Sequence, residues 1–212
     1  MNIGLFGGSF NPIHNGHIRL AKALLQEAGL DEVWFMVSPQ NPFKQNQQLL
    51  DDNKRFQLVQ IALKDEPRLI ACDFEFNLPK PSYTWNTLQV LEQAYPNYQF
   101  VILIGGDNWA AFDKWYRYED ILQRYPIVVY PREVSKFIRQ GSSASSQVSD
   151  FKFPPTPNTQ HPSPIPGFRI VKTPLINISS TQIRQRIQEG KSVRGLVPTD
   201  VAMMIEQEHL YR

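Results

Sequence analysis

The segment Gly7-Gly8-Ser9-Phe10-Asn11-Pro12-Ile13-His14-Asn15-Gly16-His17 constrains the chain more than any other. It follows a short apolar run, Ile3 to Phe6, and leads into a helical pattern with apolar positions at Ile18, Leu20, Ala21, Leu24 and Leu25. It therefore reads as a strand-to-helix turn. Such a turn admits a phosphate. Glycines let backbone N–H groups approach an anion closely, and the helix that follows aims its unpaired N–H groups and positive dipole end at the same point. His14 and His17 stand at the mouth of the turn, where each imidazole can donate to oxygens on one phosphorus as negative charge builds there. The glycine pair alone reads as an ordinary tight turn. The two histidines, and Pro12 at the entry, favour the anion site. A closed metal site is disfavoured, because the other histidines are His161 and His209 and the single cysteine is Cys72.

Short apolar runs alternate with helical patterns along the rest of the chain, which predicts an α/β fold with a parallel sheet covered on both faces. The expected strands are Ile3 to Phe6, Val33 to Val37, Leu69 to Cys72, Phe100 to Ile104, Ile127 to Tyr130 and Arg169 to Val171. Helices are expected to begin near Gly16, Asn53, Thr84, Trp109, Tyr116, Ser180 and Thr199. In open α/β sheets a ligand sits beyond the C-terminal strand ends. That rule gathers Gly7 to His17, Pro39 to Lys44, Gly105 to Asp107 and, less directly, Asn177 to Arg184 around one cleft.

With 22 basic and 20 acidic residues, the overall field gives no reason to expect a nucleic-acid or membrane partner, so any attraction to phosphate is local. A length of 212 residues suits one domain. One cysteine excludes an intrachain disulfide, no apolar run approaches membrane length, and the start Met1-Asn2-Ile3-Gly4 lacks a basic leader, so a cytoplasmic setting is expected. From Gln140 to Gly167 the periodicity stops; the stretch is serine-rich and then proline-rich, and reads as a loop or polyproline-like excursion. It is either a solvated loop or an arm toward a neighbouring copy in a homo-oligomer, with Phe151, Phe153 and Phe168 as anchors.

Late in the chain, Ser179 or Ser180 can cap the helix of Thr181-Gln182-Ile183-Arg184-Gln185-Arg186-Ile187, leaving the other hydroxyls and N–H groups for phosphate. Capping alone would explain the serines. Arg184 adds a cation one turn on, close enough to reach the same anion with a bidentate fork. Lys44, in Asn41-Pro42-Phe43-Lys44-Gln45, is a second candidate cation, although taken alone it is an ordinary surface lysine.

The first motif resembles the signature of the nucleotidyltransferase superfamily with the H-x-G-H motif, and Ile178-Ser179-Ser180-Thr181-Gln182-Ile183-Arg184 resembles its I-S-S-T-x-I-R element. Where that superfamily usually has Thr and Asp, this chain has Ser9, which keeps the hydroxyl, and Asn11, which loses a charge. Pro81-Ser82-Tyr83-Thr84-Trp85-Asn86-Thr87, Gly105-Gly106-Asp107, Lys114-Trp115-Tyr116 and the ending Gly195-Leu196-Val197-Pro198 are similar to elements of bacterial nicotinate mononucleotide adenylyltransferase. The resemblance spans nearly everything outside residues 140–167, which look like an insertion. It implies a single Rossmann-like, doubly wound, three-layer α/β/α domain over residues 1–212, with ATP and nicotinate mononucleotide as substrates, nicotinate adenine dinucleotide and pyrophosphate as products, and a place in NAD biosynthesis.

By the same resemblance, His14, His17, Lys44 and Arg184 are the catalytic groups. Gly7, Gly8, Ser9, Phe10, Ile104, Gly105, Asp107, Ser179, Ser180 and Thr181 would bind ATP. Thr84, Trp115 and Tyr116 would hold the mononucleotide, Trp115 by stacking on the electron-poor ring. Mg²⁺ would accompany ATP, with no metal held by the protein alone. Alternatives are a nicotinamide mononucleotide or phosphopantetheine acceptor, a cytidylyltransferase, and a silent nucleotide sensor on the same scaffold. A class I aminoacyl-tRNA synthetase is disfavoured, because the chain is too short for a tRNA-reading domain and lacks a K-M-S-K-S-like loop.

Overall fold

Parallel strands run through the centre of the molecule, and the central ones are short, strongly apolar runs of the kind that a sheet buried on both faces requires. In chain order they are β1 (Asn2–Gly8), β2 (Glu32–Val37), β3 (Leu69–Cys72), β4 (Gln99–Gly105), β5 (Ile127–Tyr130) and β6 (Arg169–Ile170). The computed structural model describes residues 1–39, 49–131, 169–171 and 177–212, and within these the strands form one six-stranded sheet of order β3-β2-β1-β4-β5-β6. Every pairing is parallel.

Alternate residues of each strand feed two separate cores. Phe6, Val33, Phe35, Val37, Val101, Leu103 and Val128 face one side, where they meet α1 (Asn15–Glu27), α2 (Asp52–Leu63), α6 (Ser180–Gln188) and α7 (Thr199–Gln207). Ile3, Leu5, Trp34, Met36, Phe100, Ile102, Ile104 and Val129 face the other, against α3 (Thr84–Ala94), α4 (Gly106–Trp109) and α5 (Tyr118–Arg124). The result is the three-layer, doubly wound architecture expected from the sequence. Strand order reverses between β1 and β4, the switch point at which such sheets leave a crevice for ligand.

Element ends moved for identifiable reasons. Helix α1 starts at Asn15 because His14 caps it, and α2 starts at Asp52 because the Asp51 carboxylate accepts the Lys54 N–H at 3.1 Å. The helix expected to begin near Trp109 instead ends there. It opens at Gly106, directly off β4, and Trp109 turns into the second core against Phe112. A 3₁₀ turn at Phe112–Lys114 follows. The helix expected near Tyr116 begins at Tyr118, because Arg117 adopts a left-handed backbone (φ 56°) as its cap. That conformation puts the Arg117 guanidinium 4.5 Å above the Trp85 ring. The 140–167 segment lies outside the described residues.

Candidate active site

The turn from β1 into α1 wraps the switch point. Gly8 is required there by close approach, since a Cβ at this position would lie 2.8 Å from the Phe10 ring. Phe10, at φ 43°, folds its own ring back against Phe6 and Phe35. The Gly7 position, in contrast, is open: among the described residues, nothing lies within 4 Å of where a Cβ would be.

His14 and His17 form a reciprocal cap at the start of α1. The His14 Nδ1 accepts the His17 N–H and the His17 Nδ1 accepts the His14 N–H, each at 3.3 Å. The rings stack at 3.6 Å between centroids, 18° from parallel. An imidazole nitrogen that accepts carries no proton, so this geometry fixes both rings as neutral tautomers with the hydrogen on Nε2. The two Nε2–H groups are therefore paired, pre-oriented donors. His14 is 5% exposed and His17 more open.

The carbonyls of the same turn are held by donors. Arg184, on α6, donates from Nη1 to the Asn11 carbonyl at 2.7 Å, and the Ser180 hydroxyl donates to the Pro12 carbonyl at 2.9 Å. Ser179 is the cap of α6: its hydroxyl accepts the Gln182 N–H at 3.2 Å while Gln182 Oε1 accepts the Ser179 N–H at 3.2 Å. Thr181, exposed at the first turn, has its hydroxyl 3.4 Å from Arg184 Nη2. Arg184 thus braces the β1–α1 turn through the backbone, a task that the sequence did not suggest. The opposite flank of α1 is pinned where Asn15 takes both the Leu196 and Gly195 carbonyls at 2.9 Å, and Gly195 (φ 82°) is the residue whose left-handed backbone makes that presentation.

Asn11, where a charge was expected to be missed, is 2% exposed and uses its side-chain carbonyl to accept the Leu50 N–H at 3.2 Å. A neutral amide suits a site this dry, because an isolated carboxylate would lose its hydration. Across the switch point, Gly105 ends β4 and Asp107 stands exposed in α4. Ile104 is buried in the second core, so its side chain is packed within the sheet layer and its backbone is what reaches the strand end.

A third group gathers beside α3. Thr84 opens this helix, and Tyr83 meets Tyr116 at 5.1 Å between ring centroids, so the Thr84 turn and the Trp115–Tyr116 pair are neighbours. Trp115 is half-buried against Phe112 at 5.0 Å; Tyr116 is 51% exposed. Lys44 lies outside the described residues.

Two residues central to this arrangement escaped the sequence reading. Arg55, fully buried in α2, crosses from its own helix to the phosphate turn and to the end of β2. Glu75, nearly as buried, accepts from Thr87 at 3.0 Å and from Ser82 at 3.2 Å, tying the stretch before α3 to the core. Burial pushes its carboxyl up, partly offset by hydrogen bonds from Thr87, Ser38 and Ser82.

Residues 5–186 match the family model described as cytidylyltransferase-like. A protein of Cytophaga hutchinsonii named "Probable nicotinate-nucleotide adenylyltransferase" is 41% identical over 211 residues, which is 100% of this chain and 98% of that one. A protein of the same name from Flavobacterium psychrophilum is 39% identical over 212 residues, 100% of both. The Plasmodium falciparum nicotinic acid mononucleotide adenylyltransferase complexed with NaAD shares the fold with a TM-score of 0.70 at 18% identity, over 99% of this chain and 97% of that one.

Glu75 yields a test of the site's electrostatics. Its folded-state pKa is raised, so the stability associated with the group is complete below the unfolded value and is lost as pH rises through the folded value. Glu75→Gln removes that dependence. Urea unfolding at about pH 4 and about pH 8 should show the variant gaining on the native chain at the higher pH. A difference that stays flat between the two would mean that the carboxyl does not titrate abnormally.

Proposed function

The chain belongs to the nicotinate-nucleotide adenylyltransferase family, and on that premise we propose that it transfers the adenylyl group of ATP to nicotinate mononucleotide, giving nicotinate adenine dinucleotide and pyrophosphate in NAD biosynthesis. The observation that carries the reading is the stacked His14–His17 pair, whose Nδ1 atoms cap α1 and whose Nε2–H groups are thereby fixed as donors at the switch point.

A 5′-phosphate oxygen of the mononucleotide attacks the α-phosphorus of ATP in line. A new P–O bond forms as the bond from the α-phosphorus to the bridging oxygen breaks, and that electron pair leaves on pyrophosphate. No side-chain nucleophile takes part, so catalysis is positioning plus stabilisation of charge on the non-bridging oxygens. His14 and His17 supply that stabilisation, together with the N–H groups of Ser9 and Phe10. Neutral imidazoles keep their donor hydrogens through the reaction and need not release a proton.

Arg184 and Lys44 steady the phosphates, Arg184 while bracing the turn. Ser179, Ser180 and Thr181 line the same edge. Open space at Gly7 admits the nucleotide, the backbone at Ile104 and Gly105 borders the adenosine, and Asp107 accepts from ribose hydroxyls. On the acceptor side, Trp115 stacks on the nicotinate ring, and Thr84 with the backbone at Tyr116 receives its carboxylate. The cleft's donors are imidazole, guanidinium, hydroxyl and backbone N–H groups, a set suited to anions, so Mg²⁺ enters with ATP as part of the substrate. This reading treats residues 1–212 as one cytoplasmic nucleotidyltransferase domain; no helix among the described residues is long and apolar enough to cross a membrane.

Three measurements test it. Purified protein given MgATP should turn over nicotinate mononucleotide in preference to nicotinamide mononucleotide and leave phosphopantetheine untouched, with products separated by chromatography; preference for either rival acceptor would redirect the assignment. His17→Ala should lower kcat by roughly 10²–10³, the scale for losing one charge-stabilising donor, without unfolding the chain. Turnover near normal in that variant would remove the mechanism. Trp115→Ala should raise KM for the mononucleotide far more than KM for ATP, by the equivalent of about 1–2 kcal/mol. Equal effects on both substrates would reduce Trp115 to a packing residue against Phe112.

A further inference from the structure

Arg55 is a helix residue with no access to solvent, and its guanidinium reaches three stretches of chain, at Ser9, at Ser38–Pro39 and at Leu50–Asp52. Nε donates to the Leu50 carbonyl at 3.0 Å, Nη1 to the Ser9 carbonyl, and Nη2 to the Ser38 carbonyl at 3.0 Å and the Asp52 carboxylate at 2.6 Å. An ion pair with Asp52 would be enough to neutralise the charge. The remaining bonds have a different character: they go to main-chain oxygens, those of Ser9 and Ser38 just past the ends of β1 and β2 and that of Leu50 at the entry to α2.

Ser9 lies inside the phosphate turn, immediately before Phe10 with its left-handed backbone. A carbonyl in such a turn has two directions open to it. Pointed into the cleft, its negative end opposes an anion; pointed away, it leaves the adjoining N–H groups to face the cleft. A buried cation on the far side selects the second. Arg184 and Ser180 do the same for Asn11 and Pro12 from α6, so the turn is braced from both sides of the α1 layer. Leu50, whose carbonyl Arg55 holds, also gives its N–H to the Asn11 side chain, which closes a second link between α2's entry and the turn.

We propose that Arg55 is a positioning residue for the ATP phosphates, acting by holding the Ser9 carbonyl out of the cleft and locking the ends of β1 and β2 to the start of α2. This rests on the proposed reaction for its meaning, but its primary readout is binding of MgATP alone, which requires no acceptor. Arg55→Lys keeps the charge, yet one ammonium cannot reproduce a planar fork reaching several carbonyls. Arg55→Gln tests the same point without charge.

Either variant, shown folded by circular dichroism, should bind MgATP about tenfold or more weakly by calorimetry and lose kcat, while KM for nicotinate mononucleotide stays within about threefold. Asp52→Asn removes the ion-pair partner and leaves the bond to Ser9; it should keep MgATP affinity within about threefold even if it lowers the thermal midpoint. Native-like MgATP affinity in a folded Arg55 variant would overturn the proposal. So would weakening by Asp52→Asn to the same degree, which would show that the buried ion pair matters and the turn does not, and that comparison still decides should the Arg55 variants fail to fold. The wild-type assay with nicotinate mononucleotide separately tests the reaction itself.

Discussion

A single requirement follows from the proposed reaction: the β1–α1 turn has to show N–H groups to an anion and its carbonyls to something else. Main-chain polarity is fixed, so every donor aimed at the cleft implies an oxygen that needs a partner on the other side. Arg55, Ser180 and Arg184 are those partners for Ser9, Pro12 and Asn11. They come from α2 and α6, which pack on one face of the sheet, and α6 is separated from the turn by most of the chain. The β1–α1 turn is thus local in sequence for its own groups and long-range for its support.

The histidine pair follows a related economy of groups. A conventional cap would satisfy α1 with a hydroxyl or carboxylate and end there. An imidazole caps with one nitrogen and has a second, on the opposite side of a rigid ring, that the cap forces to carry hydrogen. The cost is that the rings stack at 3.6 Å, a distance at which two cations would repel strongly. The arrangement therefore favours neutral donors, in a chain whose net charge is only +2.

Much of this was legible in the sequence. All six strand segments, the strand-to-helix turn after β1 and the serine cap of α6 followed from apolar runs, glycine placement and hydroxyl positions, signals that act over a few residues. Element ends were less so, because they depend on which side chain wins a cap; Arg117 in a left-handed conformation cannot be read from periodicity. Arg55 and Glu75 were overlooked since nothing near them in the chain explains them. A signal for Arg55 did exist: it shares the buried stripe of α2 with Leu58, Val59, Ala62 and Leu63, a core position of the helical repeat occupied by a charge. A cation in that register must have buried partners. Glu75, between Phe74 and Phe76 in a 3₁₀ turn, offered no such register.

Those two buried charges meet at one residue. Ser38, directly after β2, gives its N–H to the Gly8 carbonyl at 3.0 Å and its carbonyl to Arg55 at 3.0 Å, while its hydroxyl hydrogen-bonds Glu75. On the first side lies the phosphate turn; on the second, through Ser82 and Thr87, lies the start of α3 beside Tyr116. Buried charges of this kind seldom add net stability, since desolvation offsets most of their attraction. What they impose is geometry, because a buried guanidinium bonded to several carbonyls and a buried carboxyl bonded to Ser38, Ser82 and Thr87 restrict the arrangement of the chain around them. The proposed in-line displacement between two bound substrates would need the segments proposed to hold them fixed relative to each other to a fraction of an ångström. Ser38 joins those two segments through the end of a single central strand, which is why the stability given up to bury Arg55 and Glu75 is placed there and nowhere else among the described residues.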